Sequence, residues 1–550
     1  MNKIAILSNV NMDPIKSQWE KAGLGAPYLA PFGQYMQQLI DEKSNTNHTD
    51  NHYIWLHLDA EEFLKDNYYQ LPDEQKIIDS FETLLSVAGK WTEQNPNKIL
   101  IISSFVFPSH AVINFLDFNS TYSFSRIENE FTRLLQNFVL SCDNVLQLDF
   151  HRIVKQFGFD ALSDEKYWYL GRIKYTELGF AALFQEFNAL IRAHEGKSCK
   201  LLVCDLDNVL WGGIVGEEGP TGIILSEEGV GKVFRDFQKT LKALKKQGVL
   251  LAINSKNNEN DVKEVFEKNS MMILTWDDFI VTKVNWNSKS DNLFRTASDL
   301  NIGLDSMVMI DDSAQERHMI RKALPQVIVP EFPQNIALLK KWLIRDVVYP
   351  YFGKTKLTVE DKNKEQQYKS KIKRDSLSKK LDIGEYIKSL NIQLDILKNS
   401  DNDLERIAQL TQKTNQFNLT TKRYQAHEIK ALITNGEAGI YGLRYRDQFG
   451  DEGVVGAAIV RYAADIAAVD TFLLSCRILG RDVEFQFMQM MLTDLAQNGI
   501  SELLAEFIPT TKNNLAEKFF VQCGFDEIES KRYKAQITRL IRKMNAATIK

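Results

Sequence analysis

Several features that mark particular protein classes are scarce or missing in this sequence. The 550 residues include only five cysteines, which are scattered, with no Cys-x-x-Cys pair and no histidine at ligand spacing. Zinc-binding modules and disulfide-stapled folds are therefore not expected. An excess of positive charge is also missing, because the formal net charge is -5, and this disfavours a nucleic-acid-binding role.

Long apolar runs are missing as well. The apolar run at the amino terminus is too short for a signal peptide, and no later run is long enough to cross a membrane. The hydrophobic fraction of 44% and the charged fraction of 25% are typical of a globular protein. We therefore expect a cytoplasmic protein of several domains that binds neither membrane nor nucleic acid.

Residues 201–219, LLVCDLDNVLWGGIVGEEG, carry the most informative pattern in the chain. The apolar residues 201–203 predict a buried parallel strand that ends at Asp205, with Asp207 two residues later. Ligands bind at the carboxyl ends of strands in open α/β sheets, so these carboxylates are expected to face a crevice. A solvated Asp-x-Asp turn is the alternative, because turns also favour aspartate.

Three later stretches place polar side chains at strand ends or at a helix start. These side chains are Asn254 and Ser255 after residues 249–253, Lys289 at the start of a helix-like stretch, and Asp311 and Asp312 after residues 307–310. Four carboxylates at one sheet edge would raise one another's pKa values unless a cation lay among them. Mg2+ is the usual cation with oxygen ligands where phosphate is the substrate. The pattern therefore predicts a Mg2+-dependent phosphate site.

This order of motifs resembles the haloacid dehalogenase (HAD) superfamily of phosphoryl-transfer enzymes. The resemblance implies that Asp205 is a nucleophile that forms an aspartyl-phosphate and that Asp207 is the general acid/base. The implied phosphate-binding residues are Ser255, Asn254 and Lys289, and the implied Mg2+ ligands are Asp205, Asp207, Asp312 and Asp311. Carboxylates are known nucleophiles in aspartyl-phosphate formation, and phosphoryl transfer relies on positioning and charge neutralisation.

A narrower resemblance, to the FkbH-like branch of this superfamily, is carried by residues 207–213 (DNVLWGG), 216–219 (GEEG) and 285–289 (NWNSK). It extends over essentially the whole chain. It implies a Mg2+-dependent phosphatase, or a transferase that moves an acyl (glyceryl) group from a small phosphorylated substrate to an acyl carrier protein. The implied pathway makes a secondary metabolite or a surface polysaccharide. Leu206 stands where some relatives have a cysteine proposed to hold the acyl group, so a thioester step stays open.

Residues 1–195 are predicted to form a first domain, because apolar strands alternate there with helix-like stretches. Ser8, after the first strand, is similar to the nucleophilic serine of the SGNH-hydrolase fold, a flavodoxin-type α/β sheet. Such an enzyme needs a base near the end of the domain, and Lys174 stands about where that base would be. We therefore expect a structural or docking domain, in which His110 and His151 are ordinary surface or core histidines.

Residues 197–345 are predicted to form the HAD-type domain, a Rossmann-like parallel sheet, followed by a charged, solvated helical connector at 346–382. Only a glycine-rich flap at 212–225, with Trp211 at its base, and one helix separate the second aspartate of the site from its serine. No room is left for a large cap domain. The site is therefore expected to admit a bulky or protein-borne substrate, unless a neighbouring domain supplies a lid.

Residues 383–550 are predicted to form an α+β domain with a mixed sheet, and their layout resembles the GNAT acyltransferases. In that fold, a loop before a long helix binds the pyrophosphate of coenzyme A through backbone amides. The corresponding candidates for acyl or pantetheine binding are Arg477, Gly480, Arg481 and Asn514. Asp482 replaces a small residue there, and its carboxylate would repel a pyrophosphate. Phosphopantetheine on a carrier protein would be less disfavoured than coenzyme A.

The sequence leaves two other interpretations open. In one, the GNAT-like domain is the main catalyst, which acylates a sugar or an amine, and the HAD-type domain is accessory. In the other, the chain is a non-catalytic scaffold that binds a carrier protein. Mg2+-dependent turnover of a phosphate ester would separate both of these from the phosphatase interpretation.

Overall fold

The computed structural model describes residues 3–47, 50–107, 113–356, 366–370, 374, 377, 382–463 and 465–548. The chain divides into two compact units, Met1–Ile191 and Arg192–Lys550. Among the described residues, no helix combines the length and the apolar character needed to cross a membrane.

The first unit is built on a five-stranded sheet, in the order β2-β1-β3-β4-β5, whose paired strands all run parallel. Its strands are β1 Lys3–Ser8, β2 Tyr28–Leu29, β3 Asn51–His57, β4 Ile99–Ser103 and β5 Val145–Leu148. Its helices are α1 Lys16–Lys21, α2 Tyr35–Ile40, α3 Ala60–Leu64, α4 Glu74–Gln94, α5 Leu116–Asn119, α6 Phe124–Ser141, α7 Phe150–Phe157, α8 Phe159–Leu162, α9 Glu165–Gly171 and α10 Glu177–His194. All five residues of β4 are buried, which fits a strand covered on both faces.

A four-stranded parallel sheet, in the order β8-β7-β6-β9, begins the second unit. Its strands are β6 Leu201–Cys204, β7 Leu250–Ser255, β8 Val281–Val284 and β9 Met307–Ile310. The helices around it are α11 Val215–Gly222, α12 Gly229–Lys246, α13 Glu259–Lys268, α14 Lys289–Leu300, α15 Ala314–Ala323, α16 Leu339–Trp342 and α17 Tyr349–Phe352, with a π-helical stretch Leu343–Val348 between the last two. Because β6 lies between β7 and β9, its carboxyl end is flanked by the ends of both neighbours.

A seven-stranded mixed sheet follows, in the order β10-β11-β12-β13-β14-β16-β15, in which only β13 and β14 pair in parallel. Its strands are β10 Gln393–Lys398, β11 Ala438–Asp447, β12 Gly450–Ala463, β13 Ile466–Leu474, β14 Glu502–Glu506, β15 Asp526–Glu529 and β16 Arg532–Gln536. The helices here are α18 Ile383–Leu390, α19 Leu404–Lys413, α20 Ala426–Thr434, α21 Val483–Gln497, α22 Phe519–Cys523 and α23 Ile537–Thr548. The predicted fold class, α/β with two parallel sheets and one mixed sheet, is confirmed.

A loop of this chain fills the space beside the parallel pair of the mixed sheet. Leu419 N–H donates to the carbonyl of Phe472, and Leu474 N–H donates to the carbonyl of Phe417, at 3.1 and 3.0 Å. On its other side, Leu419 accepts from Ile508 N–H at 2.8 Å. Phe417 and Leu419 are buried in the core between the sheet and α21, so the loop completes the core of this region.

The predicted solvated connector is partly buried, as several of its described residues show. Val347 and Phe352 are buried in the core of the four-stranded sheet. Beyond them, Tyr368 packs in the core on the opposite face of that sheet, and Arg374 is fully buried. The high charge of this segment predicted solvation, but its arginine is buried and pairs with Asp447 and Glu452.

Candidate active site

Three carboxylates meet at the carboxyl end of the four-stranded sheet. Asp205 directly follows β6, and Asp311 and Asp312 directly follow β9, which pairs in parallel with β6. One carboxylate oxygen from each of the three lies within 4.8 Å of the others. Asp205 and Asp311 are buried and Asp312 is half-buried. The structure therefore brings together three of the four predicted metal ligands.

Lys289 places its ammonium group between two of these carboxylates. Its Nζ donates to Asp205 Oδ2 at 2.5 Å and to Asp311 Oδ2 at 2.6 Å. The residue begins α14, where the Ser288 side chain caps the helix by accepting from Asp291 N–H at 3.0 Å. Burial lowers the pKa of Lys289, but the carboxylates of Asp205 and Asp311 outweigh this and raise it above its ordinary value. The side chain is therefore a fixed positive charge.

Ser255 and Asn254, at the end of β7, have different surroundings. The Ser255 hydroxyl donates to Asp205 Oδ1 at 2.5 Å, so it lies beside the candidate nucleophile. Asn254 Nδ2 instead donates to the backbone carbonyl of Lys289 at 2.9 Å, and its Oδ1 accepts from Asn292 at 3.1 Å. Ser255 is therefore placed to contact a phosphoryl group, whereas Asn254 holds the start of α14.

The carboxylate of Asp207 lies outside the cluster of three. Its Oδ1 accepts from the Trp211 indole at 2.9 Å and from Val215 N–H at 3.2 Å. Its Oδ2 accepts from Asn257 Nδ2 at 3.0 Å. The side chain predicted as both general acid/base and metal ligand is thus held by three donors from the flap and from the loop after β7. The prediction of Asp207 as a metal ligand is therefore not matched by this three-carboxylate cluster.

The acidic cluster is electrostatically unbalanced. Burial, and then the neighbouring charge of Asp205, raises the pKa of Asp311 to about 6. The same two causes raise the pKa of Asp312. Raised values mean that the ionised forms are disfavoured here without a further positive charge. Three carboxylate oxygens at this spacing suit a hard divalent cation such as Mg2+, so the residues fit the metal that the resemblance implies.

Sequence reasoning missed several residues that support this site. Arg317, on α15, donates to the backbone carbonyls of Asp311 and Asp312 at 3.0 and 2.7 Å and so fixes their loop. Asn208 adopts a left-handed conformation with φ 57°, and its side chain accepts from Gly213 N–H at 3.0 Å. The asparagine in a turn next to a glycine pair was the available signal for this tight flap.

An ion pair crosses the end of the central strand. Lys256 Nζ lies 2.6 Å from Glu316 Oε1. Lys256 follows β7 and Glu316 lies on α15 after β9, and these two strands flank β6. The pair therefore links the segments on either side of the carboxyl end of β6, where Asp205 lies.

The structure does not bring the predicted acyl-binding residues to an open site. Arg477 is buried, donates to Ser475 Oγ at 3.2 Å and pairs with Glu452 Oε2 at 3.5 Å. Arg481 is buried too, and it donates to the Tyr445 hydroxyl at 3.2 Å. Both guanidinium groups, which the resemblance assigns to acyl or pantetheine binding, are thus engaged within the protein.

Gly480 and Asn514, the other two residues predicted to bind an acyl or pantetheine group, are not buried arginines and lie in different surroundings. Gly480 takes a left-handed turn with φ 78° just before α21. Asn514 is exposed, while its neighbour Asn513 is buried and donates to the carbonyls of Asn418 and Ile508, each at 2.9 Å. Asn513 therefore has an internal structural role, and the binding of an acyl or pantetheine group by Asn514 stays a prediction.

The first unit gives its candidate serine no visible base among the described residues. Ser8 Oγ accepts from Val10 N–H at 3.2 Å. Lys174 Nζ donates instead to Glu61 Oε2 at 2.9 Å, and although burial lowers its pKa, Asp59 and Glu61 raise it overall. A lysine held in its charged form cannot take a proton from a serine. His110 lies outside the described residues, and His151 pairs with Glu128 at 2.9 Å.

Comparison with solved structures gives a match that overlaps much of the chain. The crystal structure of the N-terminal part of protein BF1531 from Bacteroides fragilis, which contains a phosphatase domain and was solved with Mg, matches with a TM-score of 0.58 and 27% identity. The match covers 62% of this chain and 92% of that chain. The present chain is therefore similar in fold to a protein that contains a phosphatase domain.

Matches that cover about a quarter of this chain include acetyltransferases. The ribosomal-protein-S18-alanine N-acetyltransferase of Escherichia coli matches with 16% identity and a TM-score of 0.20, over 26% of this chain and 89% of that chain. The spermidine/spermine N-acetyltransferase SpeG of Vibrio cholerae matches with 12% identity and a TM-score of 0.22, over 28% of this chain and 98% of that chain. No model of a known protein family matches the chain, and no curated protein does.

Proposed function

We propose that this protein is a Mg2+-dependent phosphatase or phosphoryl transferase of the HAD type, and that Asp205 is its nucleophile. One observation carries the proposal: the Asp205 carboxylate lies between the Lys289 ammonium and the Ser255 hydroxyl, beside the carboxylates of Asp311 and Asp312. A phosphoryl group over Asp205 would meet a fixed positive charge and a hydroxyl donor. This is the positioning and neutralisation that phosphoryl transfer requires.

The proposed first step transfers the phosphoryl group to Asp205. A carboxylate oxygen of Asp205 attacks phosphorus, the bond between phosphorus and the leaving oxygen breaks, and Asp207 gives its proton to that oxygen. Lys289 and Ser255 bind the oxygens of the transferring group. Mg2+, held by Asp205, Asp311 and Asp312, would supply further charge neutralisation at the phosphoryl group.

The proposed second step regenerates the carboxylate. Asp207, now ionised, takes a proton from water as the water oxygen attacks phosphorus. The bond between phosphorus and the Asp205 oxygen breaks, and inorganic phosphate leaves. When the acceptor is a group other than water, the same step becomes a transfer. Asp207 can serve both steps because its three donors hold it near the site but apart from the metal ligands.

The finer proposal concerns substrate and partner. We propose a small phosphorylated acid or sugar as substrate, and an acyl carrier protein as a second acceptor when the substrate is an acyl phosphate, as the FkbH-like resemblance implies. In that case the carrier thiol would attack the carbonyl carbon and lose its proton, the bond from that carbon to the phosphate oxygen would break, and phosphate would leave. The flap, which includes α11, and helix α12 are the elements between β6 and β7, so no large cap domain is inserted there. A site without such a cap leaves room for a protein-borne acceptor, which supports this proposal. The motifs at residues 207–213 and 285–289 support the family assignment.

Phosphate release from a panel of phosphorylated three-carbon acids and sugars tests this function. We expect release that requires Mg2+ and is lost in Asp205→Asn, with an acyl group appearing on a phosphopantetheinylated carrier by intact mass. Asp299→Asn is the matched control, because it changes a half-exposed carboxylate on α14 that pairs with Lys283. Release without carrier acylation would limit the function to a phosphatase, and no release at all would contradict the proposal.

A further inference from the structure

The Trp211 indole is fully buried, yet its N–H points at a side chain of the candidate active site. The ring belongs to the core between the four-stranded sheet and its flap, and none of its surface is exposed. Its Nε1 donates to Asp207 Oδ1 at 2.9 Å. A buried tryptophan N–H needs an acceptor, but here the acceptor is a half-buried carboxylate and not a backbone carbonyl.

Asn257 holds the other oxygen of the same carboxylate. Its Nδ2 donates to Asp207 Oδ2 at 3.0 Å and also to Ser255 Oγ at 3.1 Å, and the residue is buried. Ser255 in turn donates to Asp205. A continuous chain of hydrogen bonds therefore runs from the candidate nucleophile through Ser255 and Asn257 to Asp207 and ends at Trp211.

We propose that Trp211 and Asn257 are positioning residues for Asp207, which fix its carboxylate for protonation of the leaving oxygen. With Oδ1 and Oδ2 each held by a donor from a different loop, rotation about the Cβ–Cγ bond of Asp207 is blocked. General acid catalysis depends on such orientation, because the proton must lie within hydrogen-bond reach of the departing oxygen. The inference rests on the proposed function and adds two residues to it.

The leaving group provides a readout that a purely structural role would not change. An alkoxide must be protonated as it leaves, whereas p-nitrophenolate is stable without a proton. The value of kcat/KM covers the steps up to departure of the alcohol and so excludes the later attack by water. A defect in positioning the acid should therefore lower kcat/KM for an alkyl phosphate and spare that for an aryl phosphate.

The experiment measures kcat/KM of the full chain with Mg2+ for glycerol phosphate and for p-nitrophenyl phosphate. For Trp211→Phe, which keeps a ring in the core but removes the N–H, we expect at least about a tenfold loss with glycerol phosphate, as part of the 10²- to 10⁴-fold that acid catalysis contributes. With p-nitrophenyl phosphate we expect a loss of less than about twofold, because that leaving group needs no acid. Asn257→Ala should also lower kcat/KM for glycerol phosphate relative to that for p-nitrophenyl phosphate. This second variant tests the inference even if Trp211→Phe does not fold.

Trp342→Phe is the matched control, because Trp342 is buried in the same core cluster and is not among the donors to Asp207. It should leave the ratio unchanged. An equal loss for both substrates in Trp211→Phe and Asn257→Ala, or no loss for either, would overturn the inference while leaving the proposed function intact. Turnover that survives in Asp205→Asn would instead overturn the proposed function and this inference together.

Discussion

The four-stranded sheet and the mixed sheet of the second unit both bury charged side chains, but only one of them balances the charges. The candidate active site holds three carboxylates, of Asp205, Asp311 and Asp312, against the single ammonium of Lys289. In the mixed-sheet region, two guanidinium groups, of Arg374 and Arg477, face the carboxylates of Asp447 and Glu452.

The difference separates a site that needs a ligand from a structure that is complete without one. In the first cluster the surplus is two negative charges, and the pKa values of Asp311 and Asp312 are raised as a result of burial and of the charge on Asp205. In the second, two positive charges meet two negative charges, and the pKa of Asp447 is lowered because the hydrogen bonds from Arg374 and Tyr445 outweigh its burial. Charged residues in both regions were predicted to bind ligands, but only in the first cluster do the carboxylates outnumber the cations paired with them.

The largest expected effect is on catalysis. Replacing Asp205 by Asn removes the nucleophile while keeping the shape of the side chain, so we expect Mg2+-dependent phosphate release to fall by at least about a thousandfold. Arg477→Gln, in the balanced cluster, should leave the rate within about twofold because it touches no reacting group. Initial rates at saturating substrate check both variants, and a similar loss in both would erase the distinction between the two regions.

The next largest effect is expected on stability, where replacing Lys289 can be compared with replacing Arg374. Lys289→Met and Arg374→Met each leave buried carboxylates unpaired, so we expect each to lower the free energy of unfolding by about 3 kcal/mol. Mg2+ should restore stability only to Lys289→Met, because it binds the folded site that this variant leaves negative. Urea unfolding with and without Mg2+ measures this, and rescue of Arg374→Met by Mg2+ would contradict the comparison.

A smaller effect concerns the pH dependence of metal binding. The pKa of Asp311 is raised to about 6 by burial and by Asp205, so its carboxylate is ionised above that pH and protonated below it. Since Mg2+ and the proton compete for this carboxylate, the half-saturating Mg2+ concentration should rise about tenfold per pH unit below that value. Titrations of Mg2+ from about pH 5 to about pH 8 check this, and a half-saturating concentration that stayed constant below about pH 6 would contradict the expected competition.

The smallest effect is expected for coenzyme A. With Arg477 and Arg481 engaged by Glu452 and Tyr445, the loop before α21 has no free guanidinium for a pyrophosphate. Coenzyme A should therefore leave the midpoint of thermal unfolding unchanged, whereas Mg2+ raises it. A rise with coenzyme A would show that the mixed-sheet region does bind this ligand and that its charges rearrange to do so.

The placement of the candidate site residues was predictable because most of them follow an apolar run. Asp205, Ser255 and Asp311 come at strand ends, and parallel strands bring their carboxyl ends to one edge, so sequence order already places these residues together. Lys289 was predictable because a helix begins there after a capping serine. Local pattern and topology were sufficient for these residues.

The supporting residues were not predictable in the same way. Trp211 reads as a core residue, and its second role depends on a hydrogen bond that periodicity cannot show. Arg374 sits in a segment whose composition predicts solvation, and its burial depends on Asp447 and Glu452, which lie more than 70 positions away. Long-range pairing of polar groups leaves no periodic signal in a sequence.

Helix α14 joins the two regions that differ in charge. Lys289 begins it, and Asn301, which caps its end, accepts from Cys476 Sγ at 3.6 Å and from Gln416 Nε2 at 3.3 Å, both in the mixed-sheet region. A helix of 12 residues is about 18 Å long and behaves as a stiff rod. If a molecule bound the mixed-sheet region and moved Lys289 through this helix, it would change the affinity for phosphate, and phosphate would then change the affinity for that molecule by the same factor.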